Sequence, residues 1–153
     1  MTLRPVEVRG HLALEEHWDL RHRHALGRAG EAFARGVERG AIVAARCASC
    51  RRVLLPPRVF CERCFCDTEL FDFESREGEL LSFTVVRMPF AGSPPTPFGI
   101  AYARLDGSDT ALGALVEIDP DQADGGLVIG TRVELAILDS GFGMERLRFR
   151  PAR

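Results

Sequence analysis

The chain has 153 residues, enough for one ordinary domain or for two small ones that share an interface. Hydrophobic residues make up 46% and charged residues 27% of the sequence, which excludes a disordered or fibrous protein. The formal net charge of -2 provides no general attraction for a polyanion, so nucleic-acid binding would require a local basic patch. All 20 basic residues are arginines, which excludes Schiff-base and P-loop chemistry because both need a lysine amine.

Residues 1–40 are predicted to form two helices that dock on a partner. Apolar residues recur at near-helical spacing over residues 12–26, and a second helix is expected over about residues 31–39, before Gly40. Two short helices bury little surface between themselves, so their apolar positions are expected to pack on another element or another chain. These positions are Leu14, Trp18, Leu26, Phe33 and Val37.

The first ten residues contain no apolar run, and no stretch of the chain approaches the roughly 20 apolar residues that cross a bilayer. We therefore expect a cytoplasmic protein that does not interact with a membrane. Thiols stay reduced in the cytoplasm, so clustered cysteines there favour a metal ion over disulfides.

Residues 41–74 contain all the cysteines and are predicted to form a metal-binding ribbon. Cys47 and Cys50 form one C-x-x-C knuckle, Cys61 and Cys64 form a second, and ten residues separate the two. Each knuckle presents two thiolates from one tight turn to a tetrahedral ion. Four thiolates leave no position for water, so a zinc ion there would be structural. Because roughly 30 residues bury too little apolar surface to fold unaided, the ion would contribute on the order of 10 kcal/mol to folding.

The alternatives at this site are two disulfides or an iron centre. Cys66 could replace Cys64 as a ligand, but a small buried hydrophobe is the expected role of this fifth cysteine. Several arginines flank the knuckles, where they either offset the charge of four thiolates on a divalent ion or contact phosphates. They are Arg46, Arg51, Arg52, Arg58 and Arg63.

No catalytic residue is predicted. The sequence has no G-x-S-x-G elbow, no deaminase pattern around the cysteines, and no H-E-x-x-H motif with its histidines. Polar-face or interface positions are the expected roles of those histidines, which are His11, His17, His22 and His24.

Residues 75–153 are predicted to form a small β-barrel. Five short runs rich in β-formers are separated by turn-forming Gly, Pro, Asp and Ser, without a long helix between them. The OB-fold is the commonest five-stranded solution, so the fold class expected for the chain is mainly β with N-terminal α-helices. The predicted strands cover residues 79–88, 98–105, 110–118, 132–138 and 145–150.

Short motifs follow one another in a fixed order between residues 31 and 150. They are Phe33, Gly40-Ala-Ile-Val43 before the first knuckle, Pro56-Pro57-Arg58 before the second, the run from Gly78 to Val86, Pro97-Phe98, and Ile129-Gly130. In this order they resemble the domain-of-unknown-function-35 family, which has N-terminal helices, a rubredoxin-like zinc ribbon and a C-terminal OB-fold. The family usually has glycine directly after each knuckle, where this chain has Arg51 and Phe65.

The resemblance implies an accessory subunit of thiolase-like enzymes, active in a hetero-oligomer. Its zinc ribbon and barrel would help hold CoA or an acyl-CoA while the partner supplies the catalytic cysteine. Candidate CoA contacts carried over from the family layout are Arg58, Met88, Phe90 and Phe98.

Two other functions remain open from the sequence: a nucleic-acid-binding ribbon and barrel module, and a stand-alone acyl-CoA-binding protein. No basic stripe supports the first, because acidic residues gather where the ribbon meets the barrel. They are Glu69, Asp72, Glu74, Glu77 and Glu79.

Overall fold

The computed structural model of the chain describes residues 2–17, 23, 25–90, 92–141 and 143–152. Among these residues, no helix is long and apolar enough to cross a membrane. The elements in chain order are β1 (Thr2–Val8), β2 (His11–His17), α1 (Gly27–Glu38), β3 (Ile42–Cys47), β4 (Val53–Leu54), β5 (Thr68–Phe73), β6 (Glu77–Val86), β7 (Phe98–Leu105), β8 (Leu112–Val116), β9 (Arg132–Ile137), a 3-10 turn (Gly143–Arg146) and β10 (Leu147–Pro151).

The N-terminal segment forms a β-hairpin, so the helix predicted over residues 12–26 is wrong where it covers β2. Strands β1 and β2 pair in antiparallel register, with Val8 opposite His11. The two turn residues, Arg9 and Gly10, have φ angles of 51° and 79°. Positive φ at both positions gives the tight turn whose twist matches the flanking strands. Trp18, predicted on that helix, lies outside the described residues.

Helix α1 confirms the second predicted helix, although it starts earlier, at Gly27. The helix packs closely on β3 at Gly36. A Cβ at this position would lie 2.6 Å from Cγ2 of Val43, too close for a real contact, so only glycine allows this approach. Phe33 and Val37 are buried, 5% and 0% exposed, in the core of this chain. They therefore pack within this chain, which is one of the two arrangements expected from the sequence. That the N-terminal segment docks on a partner stays a prediction.

Arginines from the barrel cap the C-terminal end of α1. Nη1 of Arg146 donates to the carbonyl oxygens of Val37 and Glu38 at 3.1 and 3.2 Å. Nη2 of Arg76 donates to the carbonyl oxygen of Gly40 at 2.9 Å. The last carbonyls of a helix lack partners within it, and the Arg146 bonds help to satisfy them. Together with the Arg76 bond to Gly40, just after the helix, they attach α1 to the barrel.

The ribbon is a three-stranded antiparallel sheet in the order β4-β3-β5. Its edge strand β4 is covered by the loop that follows β7 in the barrel. Val53 and Asp109 exchange two hydrogen bonds of 2.8 Å, one of them through the Asp109 carboxylate. The Thr110 hydroxyl accepts from the Leu55 N–H at 2.7 Å and donates to the Leu55 carbonyl at 2.9 Å. The edge is thereby paired, and the ribbon is fixed against the barrel.

The barrel is closed in the strand order β10-β8-β7-β6-β9, with parallel pairing between β8 and β10 and antiparallel pairing elsewhere. This confirms the predicted five-stranded OB-fold. One apolar cluster fills the barrel and continues between barrel and ribbon. Its members include Ile42 and Leu55 from the ribbon side and Leu80, Leu135 and Phe149 from the barrel.

Candidate metal centre and neighbouring clefts

The first knuckle turns the chain between β3 and β4. The Cys47 N–H donates to the Arg52 carbonyl at 2.9 Å, and the Arg51 N–H donates to the Cys47 carbonyl at 3.1 Å. A third N–H, from Cys50, points at the Cys47 sulfur with 3.4 Å between N and Sγ. The turn thus aims backbone donors at a sulfur that carries negative charge when it binds a metal.

The second knuckle repeats this pattern in the loop between β4 and β5. The Cys61 N–H donates to the Cys66 carbonyl at 2.9 Å, and the Phe65 N–H donates to the Cys61 carbonyl at 2.8 Å. The same local turn therefore presents the second pair of cysteines, Cys61 and Cys64.

Each knuckle ends in a residue with left-handed backbone, Arg51 at φ 62° and Phe65 at φ 56°. These are the positions at which the family usually has glycine. A side chain with a Cβ costs roughly 1–2 kcal/mol there, so the turn holds a conformation that the residue itself disfavours. The Phe65 ring, 82% exposed, recovers none of this cost by burial.

The four knuckle sulfurs converge within 4.8 Å of one another, and Sγ of Cys50 lies 3.8 Å from Sγ of Cys61. Zinc–sulfur bonds of about 2.3 Å in a tetrahedron place sulfurs roughly 3.8 Å apart, so the arrangement fits one structural zinc. A disulfide needs sulfurs about 2.05 Å apart. Cys66 lies outside the group, and its Sγ donates to the Cys64 carbonyl at 3.4 Å.

Without a metal, the four thiols compete for negative charge. The Cys50 N–H lowers the pKa of Cys47 to about 7. The Arg52 N–H also lowers the pKa of Cys50, but burial and the neighbouring thiols outweigh it and raise that pKa to about 11. A divalent cation removes the competition because it stabilises all four thiolates together.

A cleft of about 580 Å³ opens beside the metal centre, between the start of α1 and the loop 56–60. We call it the ribbon cleft. Its walls are apolar, and among the described residues that line it the charged ones are Arg28 and Arg58. The first turn of α1 contains no acidic residue and its N-cap, Leu26, makes no side-chain hydrogen bond. An apolar cleft lined by two arginines suits a ligand with an apolar body and an anionic group.

A second cleft, of about 460 Å³, lies under the loop 94–97, and we call it the proline cleft. Phe98 lines it, and the Phe98 ring lies 6.3 Å from that of Phe90, which is 61% exposed. Met88 is also exposed. The described residues that line the two clefts do not overlap, so Arg58 stands apart from Phe98. That all four residues contact CoA stays a prediction.

The cleft walls include residues that the sequence did not single out as binding residues. Ala29 and Val59 line the ribbon cleft, and Leu115 and Arg148 line the proline cleft. Each cleft joins segments that are distant in sequence, so no local motif marks it. Of the histidines, His11 is exposed, whereas the side chains of His17, His22 and His24 lie outside the described residues.

A four-cysteine ribbon joined to a closed five-stranded barrel defines a zinc-ribbon OB-fold protein. The family description "ChsH2, rubredoxin-like zinc ribbon domain" matches residues 34–68. The description "ChsH2, C-terminal OB-fold domain" matches residues 74–138. The chain belongs to the domain-of-unknown-function-35 (DUF35) family.

Solved structures with a similar fold include the following two. A DUF35-family protein of unknown function from Sulfolobus solfataricus is 24% identical, with a TM-score of 0.62 over 82% of this chain and 87% of that one. A chain of a structure described as "Ltp2-ChsH2(DUF35) aldolase" is 24% identical, with a TM-score of 0.67 over 86% of this chain and 100% of that one. No curated protein matches the sequence.

Proposed function

We propose that this chain is a non-catalytic accessory subunit that binds a thiolase-like enzyme and helps hold its acyl-CoA substrate. Cys47, Cys50, Cys61 and Cys64 bind one structural zinc, which joins the two knuckles of the ribbon. The partner provides the catalytic residues. Reduced thiolates suit the cytoplasm, where we place the complex.

The ribbon cleft is the observation that carries the acyl-CoA part of this proposal. Its apolar walls match the acyl chain and the pantetheine arm, which gain stability by leaving water. Arg58, on the cleft wall, is half exposed, and its ion pair with Glu62 is long, at 3.4 Å. Glu62 has a closer partner in Arg52 at 2.7 Å. The Arg58 guanidinium is therefore free to turn toward a phosphate.

Large exposed apolar side chains around the ribbon support the partner part of the proposal. A subunit interface buries such side chains, and their exposure on an isolated chain marks a surface that another protein covers. The similar DUF35 chain described above occurs in a structure titled as an aldolase with Ltp2, which is consistent with this role. The exposed residues are Leu26, Val59, Phe60 and Phe65.

Arg58→Gln is expected to weaken octanoyl-CoA binding about tenfold, because it removes one charge-assisted contact to phosphate. Calorimetric titration of the zinc-loaded protein, alone and with its partner, measures the change. Arg63→Gln is the matched control, since Arg63 is an exposed ribbon arginine outside the cleft lining. Equal affinities for the two variants would remove Arg58 from the site.

The partner is tested by co-expression with a thiolase-like protein from the same genome. A stable complex whose thiolase activity needs this chain supports an accessory subunit. Octanoyl-CoA binding without any complex would instead favour a stand-alone acyl-CoA-binding protein. Tight, sequence-dependent oligonucleotide binding at physiological salt would favour the nucleic-acid module.

A further inference from the structure

The proline cleft contains an arginine, Arg148, whose charge has no partner among the residues that the structure describes. Arg148 on β10 lies on the outer face of the barrel, between the buried Leu147 and Phe149. It lines the cleft, and its Nε is buried without a hydrogen-bond acceptor among the described residues. Leaving a buried donor of a charged group unsatisfied is costly, so a ligand that accepts a hydrogen bond from this guanidinium would be stabilised.

Other arginines on the barrel surface are paired. Arg104 contacts Glu79 at 3.7 Å, Arg132 contacts Asp106, and Nε of Arg150 contacts Glu117 at 3.0 Å. Among the described residues that line the proline cleft, Glu117 is the one with a carboxylate, and this carboxylate is paired with Arg150.

Two further arginines, Arg46 and Arg76, each have one buried side-chain nitrogen that lacks an acceptor among the described residues. Each has another contact, however. The Arg46 guanidinium stacks 4.7 Å from the centre of the Phe71 ring, and Arg76 donates through its second Nη to Gly40. For Arg148 the described part of the chain supplies no ion pair and no hydrogen bond, which sets it apart.

We propose that the proline cleft binds a small organic carboxylate with an apolar body, and that its carboxylate pairs with the Arg148 guanidinium. One unpaired cation compensates one negative charge, which a carboxylate carries, whereas a phosphate dianion would stay under-neutralised beside Glu117. The planar guanidinium matches a carboxylate through two parallel N–H···O bonds.

The walls of the cleft define the rest of the ligand. Proline side chains of the loop, Phe98 at the start of β7 and aliphatic side chains in and just after β8 line the cleft together with Arg148, so an apolar body is transferred from water as the carboxylate binds. About 460 Å³ suits a single ring or a short branched chain. The wall residues are Pro94, Pro95, Pro97, Phe98, Leu115 and Ile118.

This site is separate from the ribbon cleft, which carries the acyl-CoA proposal, although Phe98, one of the four predicted CoA contacts, lies in its wall. The acyl carboxyl of a simple acyl-CoA is tied up in an uncharged thioester, and the residues that line the ribbon cleft are different ones. Failure of the carboxylate site would leave the Arg58 experiment unaffected, and the reverse also holds.

The test is a titration of the zinc-loaded full chain with phenylacetate, followed by NMR through the Nε–H signal of Arg148. We expect this signal to shift and saturate. Phenylacetamide, a neutral ligand of the same shape, should bind at least tenfold more weakly. Arg148→Met should reduce phenylacetate affinity at least tenfold, while Arg104→Gln, which removes a paired arginine elsewhere on the barrel, should leave it within about twofold.

Four results would overturn the proposal. The first is no shift of the Arg148 Nε–H signal at about 20 mM phenylacetate, a concentration at which even millimolar binding is detected. The second is equal binding of the acid and the amide, and the third is unchanged phenylacetate affinity of Arg148→Met. The fourth is tighter binding of inorganic phosphate than of phenylacetate. If Arg148→Met does not fold, the comparison of acid and amide on the natural chain still decides the question.

Discussion

Cys50→Ser is expected to abolish zinc binding and to unfold the ribbon. The substitution puts a neutral serine hydroxyl in place of one of four thiolate ligands. Removing a residue that only hydrogen-bonds to a ligand lowers metal affinity by up to roughly 100-fold, so removing a ligand itself should lower it by more. Because structural zinc contributes on the order of 10 kcal/mol, comparable to the whole stability of a typical small domain, the variant should aggregate or expose its core. Elemental analysis should find about one zinc per natural chain and much less in the variant.

Cys66→Ser is the matched control for this experiment. It also replaces a ribbon cysteine by serine, but the Cys66 sulfur lies outside the four-sulfur group and contacts only a carbonyl among the described residues. This variant should keep its zinc and its circular dichroism spectrum. Zinc loss in Cys66→Ser together with zinc retention in Cys50→Ser would show that Cys66, and not Cys50, is a metal ligand. Intact disulfides within the knuckles under reducing conditions would contradict a metal site altogether.

The ribbon and barrel could be predicted because their signals are local. Two C-x-x-C pairs specify a metal turn within four residues each, and alternation with Gly- and Pro-rich turns locates strands within a few residues. Thus the predicted strand over residues 98–105 coincides with β7. The parallel pairing of β8 and β10 that closes the barrel is non-local, and it follows from the OB-fold rather than from either strand alone.

The N-terminal hairpin could not be separated from a helix by periodicity. Leu12 and Leu14 alternate as in a strand, but Leu14 and Trp18 are also spaced as on a helix, and short apolar runs support both interpretations. Residues 11–17 form a strand because they pair with β1. The sequence signal for this pairing is Arg9-Gly10, which forms a two-residue hairpin turn. An X-Gly pair between two segments that can form strands is a stronger local signal than one pair of residues at helical spacing.

The clefts were beyond sequence analysis for a different reason. Arg58 was identified through a family motif, but its partner across the ribbon cleft is the start of α1, about thirty residues earlier in the chain. Arg148 looked like one of three alternating arginines on a half-buried strand. Only the packed structure shows that Arg150 has a carboxylate partner and that Arg148 faces a cleft.

Phe149→Ala is expected to lower the free energy of unfolding by about 3–5 kcal/mol, because it leaves a cavity in the centre of a packed core. Phe149 is 0% exposed, and on β10 it stands between Val116 of β8 and Leu135 of β9. Its neighbours belong to strands that close the barrel, so the cavity has little freedom to collapse. Urea unfolding followed by circular dichroism measures the loss.

Phe65→Ala is the control, since the same truncation is made at a ring that is 82% exposed. We expect a change within about 0.5 kcal/mol, as for other surface substitutions. Because one apolar cluster joins ribbon and barrel, we further expect Phe149→Ala to release zinc in the same urea range in which the barrel unfolds. A dye that reports free zinc, read alongside circular dichroism, tests this: barrel unfolding with zinc still bound would show that the ribbon is stable without the shared core.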